Sequence, residues 1–171
     1  PYTTLFRSMT AKECIYGRRS IRKYKPDPVD HALLESVIEA ASYAPSWKHS
    51  QTIRYIAIEG ELKDKIGRDC TTIFPNNGKI IENAPLLIAV TVIKNRCGYE
   101  RDGSFSTERG DTWQMYDAGV ASQTFCLAAY EAGLGTVIMG LFDNDKITSL
   151  LETPRSEEHT SELQSPPDRV C

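Results

Sequence analysis

The sequence is short of the groups that mark hydrolytic, metal-dependent or membrane-embedded proteins. His31 and His49 are too isolated for a metal cage, and no Ser-His-Asp or Cys-His arrangement is present. The cysteines, Cys14, Cys70, Cys97, Cys126 and Cys171, contain no C-x-x-C pair and no metal-ligand rhythm. Inert, buried thiols in a reducing cytoplasm are therefore expected. No apolar run approaches the roughly 20 residues needed to cross a bilayer. Nor is Met9 followed by a signal-peptide pattern. Charge of one sign is also lacking: 20 Lys and Arg against 23 Asp and Glu leave a net charge of −3. That balance gives no general reason to expect nucleic acid or an anionic membrane as partner. Internal repeats and low-complexity linkers are absent too.

Both ends carry a signal of their own. Leu5 to Ser8 can be coded CTC TTC CGA TCT and Arg155 to Glu158 AGA TCG GAA GAG, each the reverse complement of the other. Residues 1–8 and 155–171 therefore read as one adapter translated from opposite strands, to be set aside in fold reasoning. This leaves residues 9–154, a length that suits one domain on a scale of about 100–200 residues per domain.

Along that stretch, Asp30 is a good N-cap, and Leu33, Leu34, Val37, Ile38 and Ala41 recur at helical spacing until Ala44-Pro45 stops the helix. Ile53 to Glu59 is rich in β-branched and aromatic residues and predicts a strand. Glu61 to about Cys70 predicts a short charged helix. Pro85 to Ile93 is apolar on both faces, as in a central strand covered by helices on each side. Lys94 to Asp111 is polar and predicts an exposed excursion. Thr112 to Ala132 predicts the longest helix, rich in small residues suited to close packing against other helices. Gly133 ends it, Thr136 to Met139 predicts a short strand, and Asp143 caps a last helix through Leu151. The alternation implies an α+β, layered α/β domain.

Four clusters carry chemistry. Arg18, Arg19, Ser20 and Arg22 place three guanidiniums and a hydroxyl within five residues, a set able to clamp a phosphate, although a short basic run is more commonly a solvated face. Pro45 and Ser46 open a loop, continuing to His49 and Gln51, that can present donors and acceptors to a planar heterocycle; an ordinary polar turn is the plainer alternative. Asn77 can donate to and accept from an imide edge, or simply cap a helix. Met139 and Gly140 end a strand where main chain can approach a ligand closely, or make a tight turn.

In this order and spacing, RRSIRKY, APSWKHSQ, NNGKIIENAP, WQMYDAGVASQTFCLAAYEAGLGT and IMGLFD resemble the nitroreductase family, from about Glu13 to Leu151. The resemblance implies a central, mainly antiparallel sheet flanked by helices, FMN as cofactor and NADH or NADPH as electron donor. Hydride would pass through flavin N5 to a nitroaromatic, quinone or related small-molecule acceptor, with no side chain acting as nucleophile or base. It also implies positions. Arg18, Arg19, Ser20 and Arg22 match the segment holding the FMN phosphate and reaching the ring. Pro45 and Ser46 match the loop beside the isoalloxazine, Asn77 the amide at its pyrimidine edge, and Met139 and Gly140 the turn whose backbone N–H faces N5. A homodimer with sites at the subunit interface is implied, with the Thr112–Ala132 helix as its core.

Two departures stand out. His49 replaces the Asn common in the APS-x-x-N-x-Q loop. The family also continues past the last helix into a further strand and a basic segment, where this chain has adapter-like sequence. An open sheet edge and an incomplete phosphate site are therefore expected. The competing readings are a flavin-binding protein without turnover, an inert fragment, and a nicotinamide-binding Rossmann domain hinted at by Gly133-Leu134-Gly135. The last lacks a G-x-G-x-x-G after a first strand.

Overall fold

The computed structural model describes residues 9–153 and the backbone of a strand at 157–165. Its elements are helices α1 (Ala11–Gly17), α2 (His31–Ser42), α3 (Gly60–Cys70), α4 (Pro75–Asn83), α5 (Thr112–Glu131) and α6 (Asn144–Leu151), and strands β1 (Ile53–Ile58), β2 (Leu86–Ile93), β3 (Ile138–Met139) and β4 (Glu157–Ser165).

The sheet runs β1-β2-β4-β3, and every strand pair in it is antiparallel. β2 explains the layering. From Leu86 to Val92 its residues are all buried, and alternate side chains point to opposite faces of a strand. Leu86, Ile88 and Val90 join Leu34, Val37, Phe125 and Ala129 in the core under α2 and α5. Leu87 and Ala89 join Ile66, Ile81 and Ile147 in the core under α3, α4 and α6. The covered central strand, the mainly antiparallel sheet and the flanking helices all agree with the sequence reading. A Rossmann domain does not fit: Gly133, at φ 82°, follows the end of α5 rather than a first strand.

Four features depart from expectation. α1 was not foreseen, although Thr10 and Glu13 form a reciprocal capping box at its start. α4 lies where the sequence reading assigns no element, because Asn and Gly are poor helix formers. It forms because Gly78 lets it press against α3: a Cβ there would lie 2.5 Å from the Gly67 carbonyl oxygen. Lys63 of α3, read as part of a charged face, is buried and donates to the Ile81 carbonyl at 2.8 Å, satisfying the C-terminal end of α4. Finally, the edge expected to stand open beside β2 is filled by β4 at 157–165, the segment that the coding argument sets aside.

Candidate active site

The basic segment leaves α1 at Arg18, whose N–H donates to the Cys14 carbonyl at 2.9 Å. It then runs beside the chain entering β3. Ser20 forms a parallel bridge with Thr136, and the Ile21 N–H donates to the Thr136 carbonyl at 3.0 Å. Tyr24 N–H donates to Asn83 Oδ1 at the end of α4, 3.0 Å away. The Arg18–Arg22 stretch is thus pinned between the start of β3 and α4.

From α4, Asn77 completes the triangle. It is buried, and its Nδ2 donates to the Leu141 carbonyl at 3.1 Å. The chain is thus held on both sides of β3, at Thr136 before it and at Leu141 after it. The Met139 side chain is buried in the core, so only main chain can face a ligand there. Gly140, one residue past the strand, is exposed, and a Cβ at this position would meet nothing within 4 Å among the described residues. Packing of this chain does not demand glycine at 140, and the space beside its main chain is open.

The three guanidiniums are poorly neutralised. Arg19 Nη1 donates to the Tyr16 and Arg18 carbonyls, both at 2.7 Å, and Arg22 Nη1 to the Ser20 carbonyl at 3.3 Å. Among the described residues none of the three forms an ion pair. Three clustered cations without carboxylates suit a multiply charged anion.

Pro45 and Ser46 lie elsewhere. They line a recess of about 360 Å³ with Ile38, Tyr55, Asp117 and Ala121, between α2, β1 and α5. No hydrogen bond among the described residues links this loop to Arg18–Arg22, Asn77 or Gly140. The loop itself is strained: Lys48, His49 and Gln51 have φ of 45°, 56° and 45°. Left-handed backbone at a non-glycine residue costs on the order of 1–3 kcal/mol and persists only where surroundings over-determine it. Here they do. Ser46 Oγ accepts from Gln51 N–H at 3.0 Å, Trp47 N–H donates to Asp117 Oδ2 at 2.9 Å, and the Trp47 and Trp113 rings lie 4.3 Å apart. Lys48 Nζ meets Glu100 at 2.6 Å, an exposed pair that holds the Glu100 carboxyl below its ordinary value. His49 is exposed, its N–H spent on the Ser46 carbonyl at 3.0 Å.

Sequence reasoning missed Asp117 and Cys97. Both are buried, and the Cys97 thiol donates to Asp117 Oδ2 at 3.0 Å. Burial, reinforced by the Asp117 carboxylate, pushes the Cys97 thiol up to about 12, so it acts as a proton donor and not as a thiolate nucleophile. Cys14, Cys70 and Cys126 are buried thiols as anticipated, whereas Cys171 lies outside the described residues. No group of three or more His, Cys, Asp or Glu among the described residues could hold a metal ion.

The sequence profile of the Nitroreductase family matches residues 15–79 and 74–162. The chain belongs to the nitroreductase family. An FMN reductase of Bacillus subtilis (strain 168), named for NAD(P)H, is 31% identical over 147 residues, covering 80% of this chain and 57% of the relative. The chain spans 57% to 72% of the length of the first curated relatives it matches. In three dimensions, this nitroreductase-family chain is similar to an FMN-dependent nitroreductase from Clostridium difficile R20291, at 25% identity and TM-score 0.74 over 94% of this chain and 88% of the other. A nitroreductase family protein from Clostridium novyi NT shares the fold at 24% identity and TM-score 0.79, over 94% of this chain and 86% of the other. No described helix is long and apolar enough to cross a membrane.

Proposed function

We propose that this chain is an FMN-dependent oxidoreductase that takes electrons from NADH or NADPH and delivers them to a nitroaromatic, quinone or related small molecule. One observation carries the reading: the Arg18–Arg22 segment, whose guanidiniums form no ion pair among the described residues, runs beside the chain entering β3, while the buried amide of Asn77 and the open main chain at Gly140 stand at its exit. The set fits the cofactor. Arg18, Arg19, Ser20 and Arg22 supply cationic and hydroxyl donors for a phosphate dianion, and Gly140 leaves room for a flat ring against main chain. When bound, the flavin supplies the two-electron chemistry. The chain's own residues bind, orient and tune. Cationic side chains favour negative charge held nearby, Asn77 fixes the turn carrying Gly140, and no side chain needs to exchange a proton with substrate.

Pro45 and Ser46 stand apart from this cluster, which supports a site completed by the same loop of a second copy. A homodimer is accordingly part of the proposal, with α5 at its core. Its mass in solution, measured by light scattering, tests that part. For the activity, the purified chain mixed with FMN should be yellow after gel filtration, and the colour should bleach when NADH or NADPH is added without oxygen. A chain that retains no FMN refutes the reading. Colour that persists on adding either donor leaves a flavin-binding protein without turnover.

A further inference from the structure

Asp117 is a buried carboxylate, 3% exposed, on the apolar face of α5. Burying an ionised group without compensation is costly, and no cation faces this one among the described residues. Its partners are two donors on a single oxygen: the main-chain N–H of Trp47 at 2.9 Å and the thiol of Cys97 at 3.0 Å. Each comes from a different irregular segment. Trp47 opens the turn that carries the three left-handed residues Lys48, His49 and Gln51, and it follows Pro45 and Ser46 directly. Cys97 anchors the excursion between β2 and α5, whose Glu100 reaches back to Lys48. One carboxylate thus ties a strained loop and the segment that clamps it to α5, the longest described helix of the fold. Hydrogen bonds to an ionised acceptor are about twice as strong as neutral ones, the kind of anchor a strained loop needs.

We propose that Asp117 is the positioning residue for the cofactor-facing loop: through the Trp47 N–H it fixes where Pro45 and Ser46 stand, and so sets flavin affinity without touching flavin. The inference rests on the flavin reading above, and its test separates the two. Asp117→Ala and Asp117→Asn are compared with wild type and with Gln114→Ala, a buried polar residue of the same helix whose Oε1 accepts from Asn95 N–H at 3.0 Å. Amide hydrogen exchange over residues 45–51 is measured on flavin-free protein, and FMN binding by fluorescence titration. Asp117→Ala should raise exchange at Trp47 and the FMN Kd by about tenfold or more each, with α2 amides still protected. Asparagine offers the same donors a neutral carbonyl oxygen and should restore part of both, falling between alanine and wild type, whereas Gln114→Ala, with Asp117 intact, should stay within about threefold of wild type.

If the alanine variant fails to fold, Asp117→Glu, which displaces the carboxylate by one methylene, takes its place with the same expected direction. Unchanged loop exchange in Asp117→Ala, or an equal loss of FMN in Gln114→Ala, overturns the proposal. A wild-type chain that binds no FMN refutes the cofactor reading and the functional half of this one. The exchange result, obtained without flavin, still decides whether Asp117 holds the loop.

Discussion

Two glycine substitutions separate what the fold needs from what the ligand needs. At Gly140 an added Cβ meets nothing within 4 Å among the described residues, and the backbone is not left-handed. Gly140→Ala should therefore change the stability of the flavin-free protein by no more than about 0.5 kcal/mol. With a flat ring seated against that main chain, the same methyl group lies in its way and weakens one backbone hydrogen bond. A loss of about 1–2 kcal/mol is expected, a rise in FMN Kd of roughly 5- to 30-fold. Gly78→Ala should behave in the opposite sense. Its Cβ would lie 2.5 Å from the Gly67 carbonyl oxygen and 2.7 Å from Thr71 Oγ1, where main chain and a bonded hydroxyl cannot step aside. Overpacking of this kind costs about 1–3 kcal/mol, and at roughly 2–4 °C per kcal/mol for a domain of this size the Tm falls by several degrees. Circular dichroism melts of flavin-free protein and fluorescence titration with FMN give both numbers for both variants. FMN affinity unchanged in Gly140→Ala would show that the ring does not sit there, and a Gly78→Ala variant as stable as wild type would show that α3 and α4 do not pack as described.

Removing single charges from the basic segment tests the phosphate clamp. Arg19→Ala and Arg22→Ala should each raise the FMN Kd by about tenfold or more, the scale of one charge-assisted bond, whereas exposed Lys65→Ala should not; equal effects at all three positions would count against the clamp. Asp30 accepts from Leu33 N–H at 3.1 Å at the start of α2, so Asp30→Ala should cost about 1 kcal/mol, read as a lower Tm without loss of FMN at 25 °C. Alkaline unfolding tests the buried thiol. Because the folded value of Cys97 is raised to about 12, its contribution is complete below the unfolded value near 8.5 and is lost as pH rises toward 12. The slope reaches about 1.4 kcal/mol per pH unit. Cys97→Ala should flatten the decline of stability over that window; an unchanged slope would contradict the raised value that burial and the Asp117 bond give the thiol.

The elements legible in the sequence are those whose burial or capping is written locally. β2 is eight consecutive apolar or β-branched residues, and α2 announces itself by the Asp30 cap and its apolar spacing. What was not legible depends on partners far along the chain. α4 opens Pro-Asn-Asn-Gly and is a helix because Gly78 fits against Gly67 and because Lys63 satisfies its last carbonyls, a tertiary override of weak propensity. α1 is different: its Thr10–Glu13 capping box is a local signal carried by the sequence itself. β4 lies in a stretch whose coding pattern, not its polypeptide pattern, decided how it was read.

The candidate site divides along the same line. Clustered arginines, a loop with Pro and Ser, an amide and a glycine after a strand are all visible as residue types, but their assembly is not. The Ser20–Thr136 bridge, the Tyr24–Asn83 bond and the Asn77–Leu141 bond draw three of the four clusters to the two sides of β3, while Pro45 and Ser46 stand apart. Asp117 had a signal of its own. It is an acid set among Gln114, Ala118, Ala121 and Phe125, the stripe of α5 that faces inward. A lone carboxylate on the buried side of a helix has to be held by donors from elsewhere, and nothing in the helix can supply them, since its own N–H groups are spent within it. Here both donors come from loops, one of them bearing three strained residues in four. The carboxylate and the strain are therefore two halves of one device. The strained turn persists because a charge is buried to hold it, and the charge stays buried because the turn presents its N–H.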